Sequence, residues 1–179
     1  MYYCDLACVR YLTLRCLFCV VFVDVDPTKY GFRSECRRRF GDSDGLAVFK
    51  MFHLAFRWLP FSAVVDKVVL VLHGGIGDGR WGLADLRAIK RPVMDSSVET
   101  TMTKTERAVR DAVWSDPIEG DETMNRGVHG SPRGEEIHRF AADVTVNFCR
   151  LNDIQLIVRS HQYVPEGMSH ISTLCFSHC

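Results

Sequence analysis

The chain has 179 residues and a mass of 20.4 kDa, is 47% hydrophobic and 25% charged, and sets 22 basic side chains against 22 acidic ones. That makeup belongs to one ordinary globular domain and excludes collagen, a disordered tail and a multidomain array. A pI near 7.0 leaves no basic field to draw in nucleic acid or an anionic membrane, so any phosphate recognition must rest on a few placed arginines.

The first 29 residues are apolar and rich in cysteine. Cys4, Cys8, Cys16 and Cys19 lack the polar turns of a disulfide scaffold, which favours a reducing compartment, the cytoplasm or nucleus. The Cys16/Cys19 spacing admits a zinc reading, but a zinc ribbon wants two such pairs on polar knuckles; buried or incidental thiols are the alternative. Residues 12–23 form an apolar run interrupted by Arg15, too short for a bilayer span of about 20 residues. Asp5 ahead of the run and the VDVDP sequence after it do not fit a signal peptide.

Residues 30–40 (YGFRSECRRRF) place Tyr30, Cys36 and Phe40 among charges, which predicts an amphipathic helix closed by Gly41. A short GDSDG loop is expected next. In residues 49–59 the apolar positions Phe49, Phe52, Phe56 and Leu59 recur at three- and four-residue steps and stop at Pro60, predicting a core-packed helix with His53 packed or half exposed. Residues 67–72 (KVVLVL) are a β-branched run too short for a helix, hence a buried strand opening into His73-Gly74-Gly75. Residues 91–139 are rich in Asp, Ser, Thr, Gly and Pro and read as long functional loops or an insertion. A helix is expected over 143–151, and a second buried strand over 154–158 (IQLIV) ending in Arg159-Ser160-His161, which gives an α/β alternation.

Two buried strands each delivering a histidine just past its end have a mechanism: the sheet holds the backbone while the loops carry reactive groups. His73 and His161 are candidate metal ligands if both rings meet at one sheet edge, and neutral imidazole is a common ligand; the two glycines after His73 would let the backbone approach what is bound. A structural or merely hydrogen-bonded histidine stays open at both positions. Asp116 in WSDP and Arg126 in NRG lie on the intervening loops, where a guanidinium can grip a phosphate bidentately, or where the two form only a solvated ion pair.

Taken in order, YGFRSECRRRF, WLPFSAVVDKVVLVLHGGI, DLRAIKRP, AVWSDP, NRG and FCRLNDIQLIVRSHQ resemble the second half of the catalytic domain of the phosphoprotein phosphatases, the metal-dependent serine/threonine phosphatases. The resemblance runs over residues 30–168, with HGGIG and the IQLIV strand nearest the branch whose members also carry Kelch repeats. It implies a partial metallophosphoesterase (calcineurin-like) α/β fold, a β-sandwich flanked by helices and incomplete at both ends. It implies hydrolysis of phosphoserine and phosphothreonine esters by water bridging two metals, manganese, iron or zinc. It makes His73 and His161 ligands of one of those metals, Arg126 the phosphate-holding arginine, and Asp116 an acidic residue at the rim with Trp114 as its packing anchor. Its partners would be a phosphoprotein substrate and regulatory subunits, with neither nucleic acid nor membrane.

The departures are also specific. The family motifs GDxHG, GDxVDRG and GNHE, which carry the other ligands and the general acid, do not occur; GDSDG and HGSPRG echo them in the wrong order and context. The lead of residues 1–29 is unrelated, residues 133–139 lengthen the loop after Arg126, and residues 169–179 end as SHISTLCFSHC instead of a TLFSAPNYC-like strand. The expectation is a truncated phosphatase domain with at most one partial metal site, inactive as an isolated chain. The alternatives are a noncatalytic interaction module or pseudo-phosphatase remnant, and an incomplete gene product.

Overall fold

The computed structural model describes residues 31–93, 102–118, 126–163 and 165, and the backbone of strand residues 176–178. The apolar lead with Cys16 and Cys19 lies outside the described residues, as does most of the divergent tail. The described residues form two compact units, one of residues 31–60 with 90–93 and one of the remainder. No helix among them is long and apolar enough to cross a membrane.

The first unit is a helical pair, α1 (Phe32–Phe40) and α2 (Asp42–Phe56). Gly41 joins them at φ 82°, a conformation glycine adopts without steric penalty. The expected GDSDG loop is instead the first turn of α2, where Asp42 and Asp44 place negative charge on the positive end of the helix dipole. The helices approach closely at Gly45, where a Cβ would come within 2.5 Å of Arg37 Cα. Phe32 packs its ring on Phe49, Phe52 and Phe56, so the aromatic spacing serves a helix pair. The expectation of a core-packed second helix is only partly met: Phe56 is buried and His53 is half-buried between Phe49 and Phe56, while Met51, Phe52 and Leu54 are exposed. A pair of helices has only one buried seam, too narrow for so many apolar positions.

The second unit is built on a four-stranded sheet in the order β1-β2-β6-β7, from β1 (Ser62–Val65), β2 (Val69–Leu72), β6 (Leu156–Arg159) and β7 (Phe176–His178). The VVDKVV sequence turns back on itself, with Asp66 and Lys67 both at positive φ (54° and 66°). Val65 pairs with Val69, so Asp66, Lys67 and Val68 form a three-residue loop without the glycine that usually announces a hairpin, and β1 escaped the sequence reading. β2 and β6 pair in parallel, Leu70 opposite Ile157, and both of these side chains are fully buried. Each such burial stabilises by about 1.5–3 kcal/mol.

Residues 91–139 are not one long loop. Helix α3 (Leu83–Arg87) precedes the stretch, and within it stands α4 (Lys104–Trp114), opened by a reciprocal cap. The Glu106 N–H donates to Thr103 Oγ1, and the Thr103 N–H donates to Glu106 Oε2. That T-x-x-E signature was in the sequence and was outweighed by the polar composition around it. A second sheet follows, in the order β3-β5-β4, from β3 (Asp116–Pro117), β4 (Val128–Ser131) and β5 (Gly134–Phe140), and then α5 (Ala142–Asn152). The core between sheet and helices centres on Leu70, Ile76, Trp81, Phe140, Phe148 and Ile157. Cys36 in the first unit and Cys149 in the second are both buried.

Candidate metal centre

Because β2 and β6 run parallel and in register, the residues after their carboxyl ends emerge side by side, and the Ser160 N–H donates to the His73 carbonyl at 3.1 Å. The two imidazoles meet there: His161 Nδ1 lies 2.8 Å from His73 Nε2. His73 Nδ1 shares a hydrogen bond with Ser160 Oγ at 2.9 Å. Trp114, at the end of α4, packs edge-on against His161 with ring centroids 5.8 Å apart. His161 sits at φ 73°, a strained backbone of the kind that concentrates at functional sites.

Both rings are held neutral. Burial, aided by the charges of Arg159 and Arg133, pushes the His73 pKa down to about 4 against the pull of Asp116. Burial, with His73 and Arg133, pushes His161 down to about 4 as well. Neutral imidazole is the form that binds metal. Two ligands about 2.0–2.1 Å from one ion would lie about 2.9 Å apart at the right angle of an octahedral site and about 3.3 Å apart in a tetrahedral one. The 2.8 Å between the facing nitrogens therefore fits two adjacent positions on one ion. His161 Nε2 is buried without a hydrogen-bond partner. No third His, Cys, Asp or Glu joins the pair among the described residues.

The glycines after His73 have a different role from the one expected. A Cβ on Gly74 would lie 2.6 Å from the Val113 carbonyl carbon, and one on Gly75 would lie 2.4 Å from the Phe140 ring. The space is taken by the end of α4 and by β5, not by a bound group. The Gly74 N–H donates to the Ala112 carbonyl and the Gly75 N–H to the Asp111 carbonyl, so the loop supplies partners to the last turn of α4. Ser115 extends the seam: its Oγ–H donates to the Asp111 carbonyl at 2.7 Å and its Oγ accepts from the Gly77 N–H at 3.0 Å.

Asp116 is not a solvated loop ion pair; it is buried, and β3 fixes it by pairing with Arg139 of β5. It receives two guanidinium groups. Arg159 Nη2 donates to Oδ1 and Arg133 Nε donates to Oδ2, each at 2.7 Å. Burial pushes the Asp116 pKa up, but the hydrogen bonds from Arg133 and Arg159 outweigh it and the carboxyl is held below its ordinary value. Trp114 packs against His161.

Arg126 does not join this group. Its side chain is 79% exposed and reaches toward Asp143 at 3.9 Å, and its carbonyl shares a hydrogen bond with His129 Nε2. Residues 133–139, the added length after Arg126, fall in and beyond the turn of the β4–β5 hairpin. The sequence reading missed Arg159. It is fully buried at the end of β6 and donates to the Gly74 carbonyl, Gln162 Oε1, the Ser115 carbonyl and Asp116, tying together the loops after β2, α4 and β6. The available signal was an arginine closing an apolar strand, where a charge is tolerated only if fully paired.

Residues 24–165 match the calcineurin-like phosphoesterase family. The chain belongs to that family. This calcineurin-like phosphoesterase chain is 35% identical over 143 residues to the serine/threonine-protein phosphatase BSL2 of Arabidopsis thaliana, in a match that covers 80% of this chain and 13% of the plant protein. Among solved structures it is similar to a protein serine/threonine phosphatase from Saccharomyces cerevisiae with similarity to human phosphatase PP5. That match has a TM-score of 0.64 and 27% identity, covering 85% of this chain and 42% of the yeast chain. The mixed α/β architecture thus corresponds to part of a metallophosphoesterase fold, and the family implies divalent metal ions. The chain spans much less than half the length of the plant relative and under half of the yeast structure.

Proposed function

We propose that this chain carries part of the centre of a metal-dependent protein serine/threonine phosphatase, with His73 and His161 as adjacent ligands of one divalent ion. The observation that carries the reading is the facing pair of neutral imidazole nitrogens, 2.8 Å apart at the carboxyl ends of two parallel strands, in a chain related to serine/threonine phosphatases. Open parallel sheets bind their ligands at that end.

The chain's own residues each have a defined task. With Nδ1–H of His73 donating to Ser160 Oγ, the Nε2 lone pair is presented toward His161 Nδ1. Trp114 keeps the His161 ring from turning. Arg159, bonded to Gly74 and Gln162, holds together the loops that carry the two histidines. A bound ion supplies Lewis acidity, activating a water and drawing charge from phosphoryl oxygens. Iron and zinc suit imidazole ligands, and manganese takes more of its ligands from oxygen donors. A phosphoprotein is the proposed substrate, and regulatory subunits the proposed partners.

Two ligands do not make a two-metal centre, and hydrolysis calls for donors beyond the described residues. The isolated chain is therefore proposed to bind metal without sustained turnover. The test is metal content after equilibration with manganese, read for the wild type and for His161→Ala, together with turnover of a phosphoserine peptide. Wild-type binding that falls about tenfold or more in the variant supports the ligand pair. Absence of binding, or binding that His161→Ala leaves unchanged, overturns it. Measurable peptide turnover by the isolated chain overturns the inactivity.

A further inference from the structure

From the β4–β5 hairpin we infer that Arg133 is the arginine that binds the substrate's phosphoryl oxygens beside the histidine pair, in the role the family resemblance gave to Arg126. The identity of the anion as a substrate group rests on the phosphatase reading above; the anion site itself stands on geometry.

Arg133 lies in the turn between Ser131 and Gly134, with Pro132 before it. Its side chain leaves the hairpin and anchors through Nε on Asp116 Oδ2. The two terminal nitrogens make no hydrogen bond to any described residue, and the side chain is 34% exposed. A guanidinium held by Nε alone is oriented but retains the paired N–H groups that grip a phosphate. Its neighbour on Asp116 cannot take that role, because Arg159 is buried and commits all three of its nitrogens to protein acceptors.

Charge and position agree with this. Two guanidinium groups share one carboxylate beside two neutral imidazoles, which leaves one net positive charge. Arg133 shares Asp116 with Arg159, which is bonded to the Gly74 carbonyl after His73 and to Gln162 beside His161. Arg126 lies in solvent against Asp143.

The test is calorimetric titration of the full chain with inorganic phosphate at low ionic strength, without metal and again with manganese. Loss of one charge-assisted pair predicts that Arg133→Ala weakens phosphate binding about tenfold, while Arg126→Ala changes it less than about twofold. Arg133→Lys keeps the charge and loses the fork, so it falls between wild type and Arg133→Ala; it also serves as the second variant if truncation disturbs the hairpin, which circular dichroism would reveal. Wild-type affinity in Arg133→Ala, a larger loss in Arg126→Ala, or no phosphate binding by the wild type overturns the assignment. Manganese binding is read separately: if it fails while Arg133-dependent phosphate binding persists, the metal reading falls and the anion site stands.

Discussion

Asp116 is reached by two arginines along opposite routes. Arg159 arrives from inside the sheet, on the last residue of β6, and is so enclosed that every nitrogen is occupied. Arg133 arrives from outside, from a hairpin turn, and commits only Nε. A guanidinium brought by a buried strand must satisfy all its donors from the protein, because none can reach water. One brought by an exposed turn has no such requirement and can keep donors for a ligand. The same pairing therefore yields a clamp in one case and an open hand in the other.

The largest blow to that comparison should come from the buried arm. Arg159→Met strips Asp116 of its enclosed partner and leaves the carbonyls of Gly74 and Ser115 without that donor. Loss of one member of a buried pair costs about 3–5 kcal/mol, so the denaturant midpoint should collapse or the chain should fail to fold. A midpoint close to wild type would mean that Arg159 is not a clamp. The glycines sharpen the contrast at the next scale. Gly75→Ala drives a Cβ into the Phe140 ring and should cost about 1–3 kcal/mol. Gly130 of the hairpin has nothing within 4 Å of its Cβ position, and Gly130→Ala should stay within about 0.5 kcal/mol of wild type. Equal effects at the two positions would erase the difference between inner and outer routes.

The smallest effect concerns a second buried carboxylate. Asp111 accepts from Trp81 Nε1 at 3.1 Å, has Arg110 only at 3.8 Å, and leaves Oδ1 buried without a hydrogen bond. Burial raises its pKa above 3.8. Its ionised form therefore destabilises the native state: the penalty is absent where the carboxyl is protonated in both states and grows as pH rises through the elevated native pKa. Asp111→Asn should raise stability at pH 7 by up to about 1 kcal/mol, and the gain should vanish as pH falls below about 4. A gain that persists in acid would locate the effect in packing instead of charge.

In the second unit β2, β6 and α5 were legible because their signals are local. VVLVL and IQLIV are apolar runs of strand length, followed by His73 directly and by His161 three residues on. The hairpin at Asp66-Lys67 was hidden because Lys67 stands at positive φ where a glycine usually announces the turn, and α4 was hidden by its polar surface despite its capping box. The glycines of HGG were visible, but their reason was not, since what fills the space beside them comes from α4 and from β5, far along the chain.

What the sequence determined by itself was the chemistry on offer: two strand-end histidines, an ordered series of phosphatase-like motifs, and a neutral overall charge that makes any anion site local. These follow from residue type and spacing along the chain. Only the tertiary structure decided which groups share a space: that the imidazoles face each other, that Asp116 is buried under Arg159, and that Arg133 and not Arg126 stands beside them. Proximity between residues dozens of positions apart depends on strand register and hairpin path, which no local spacing records.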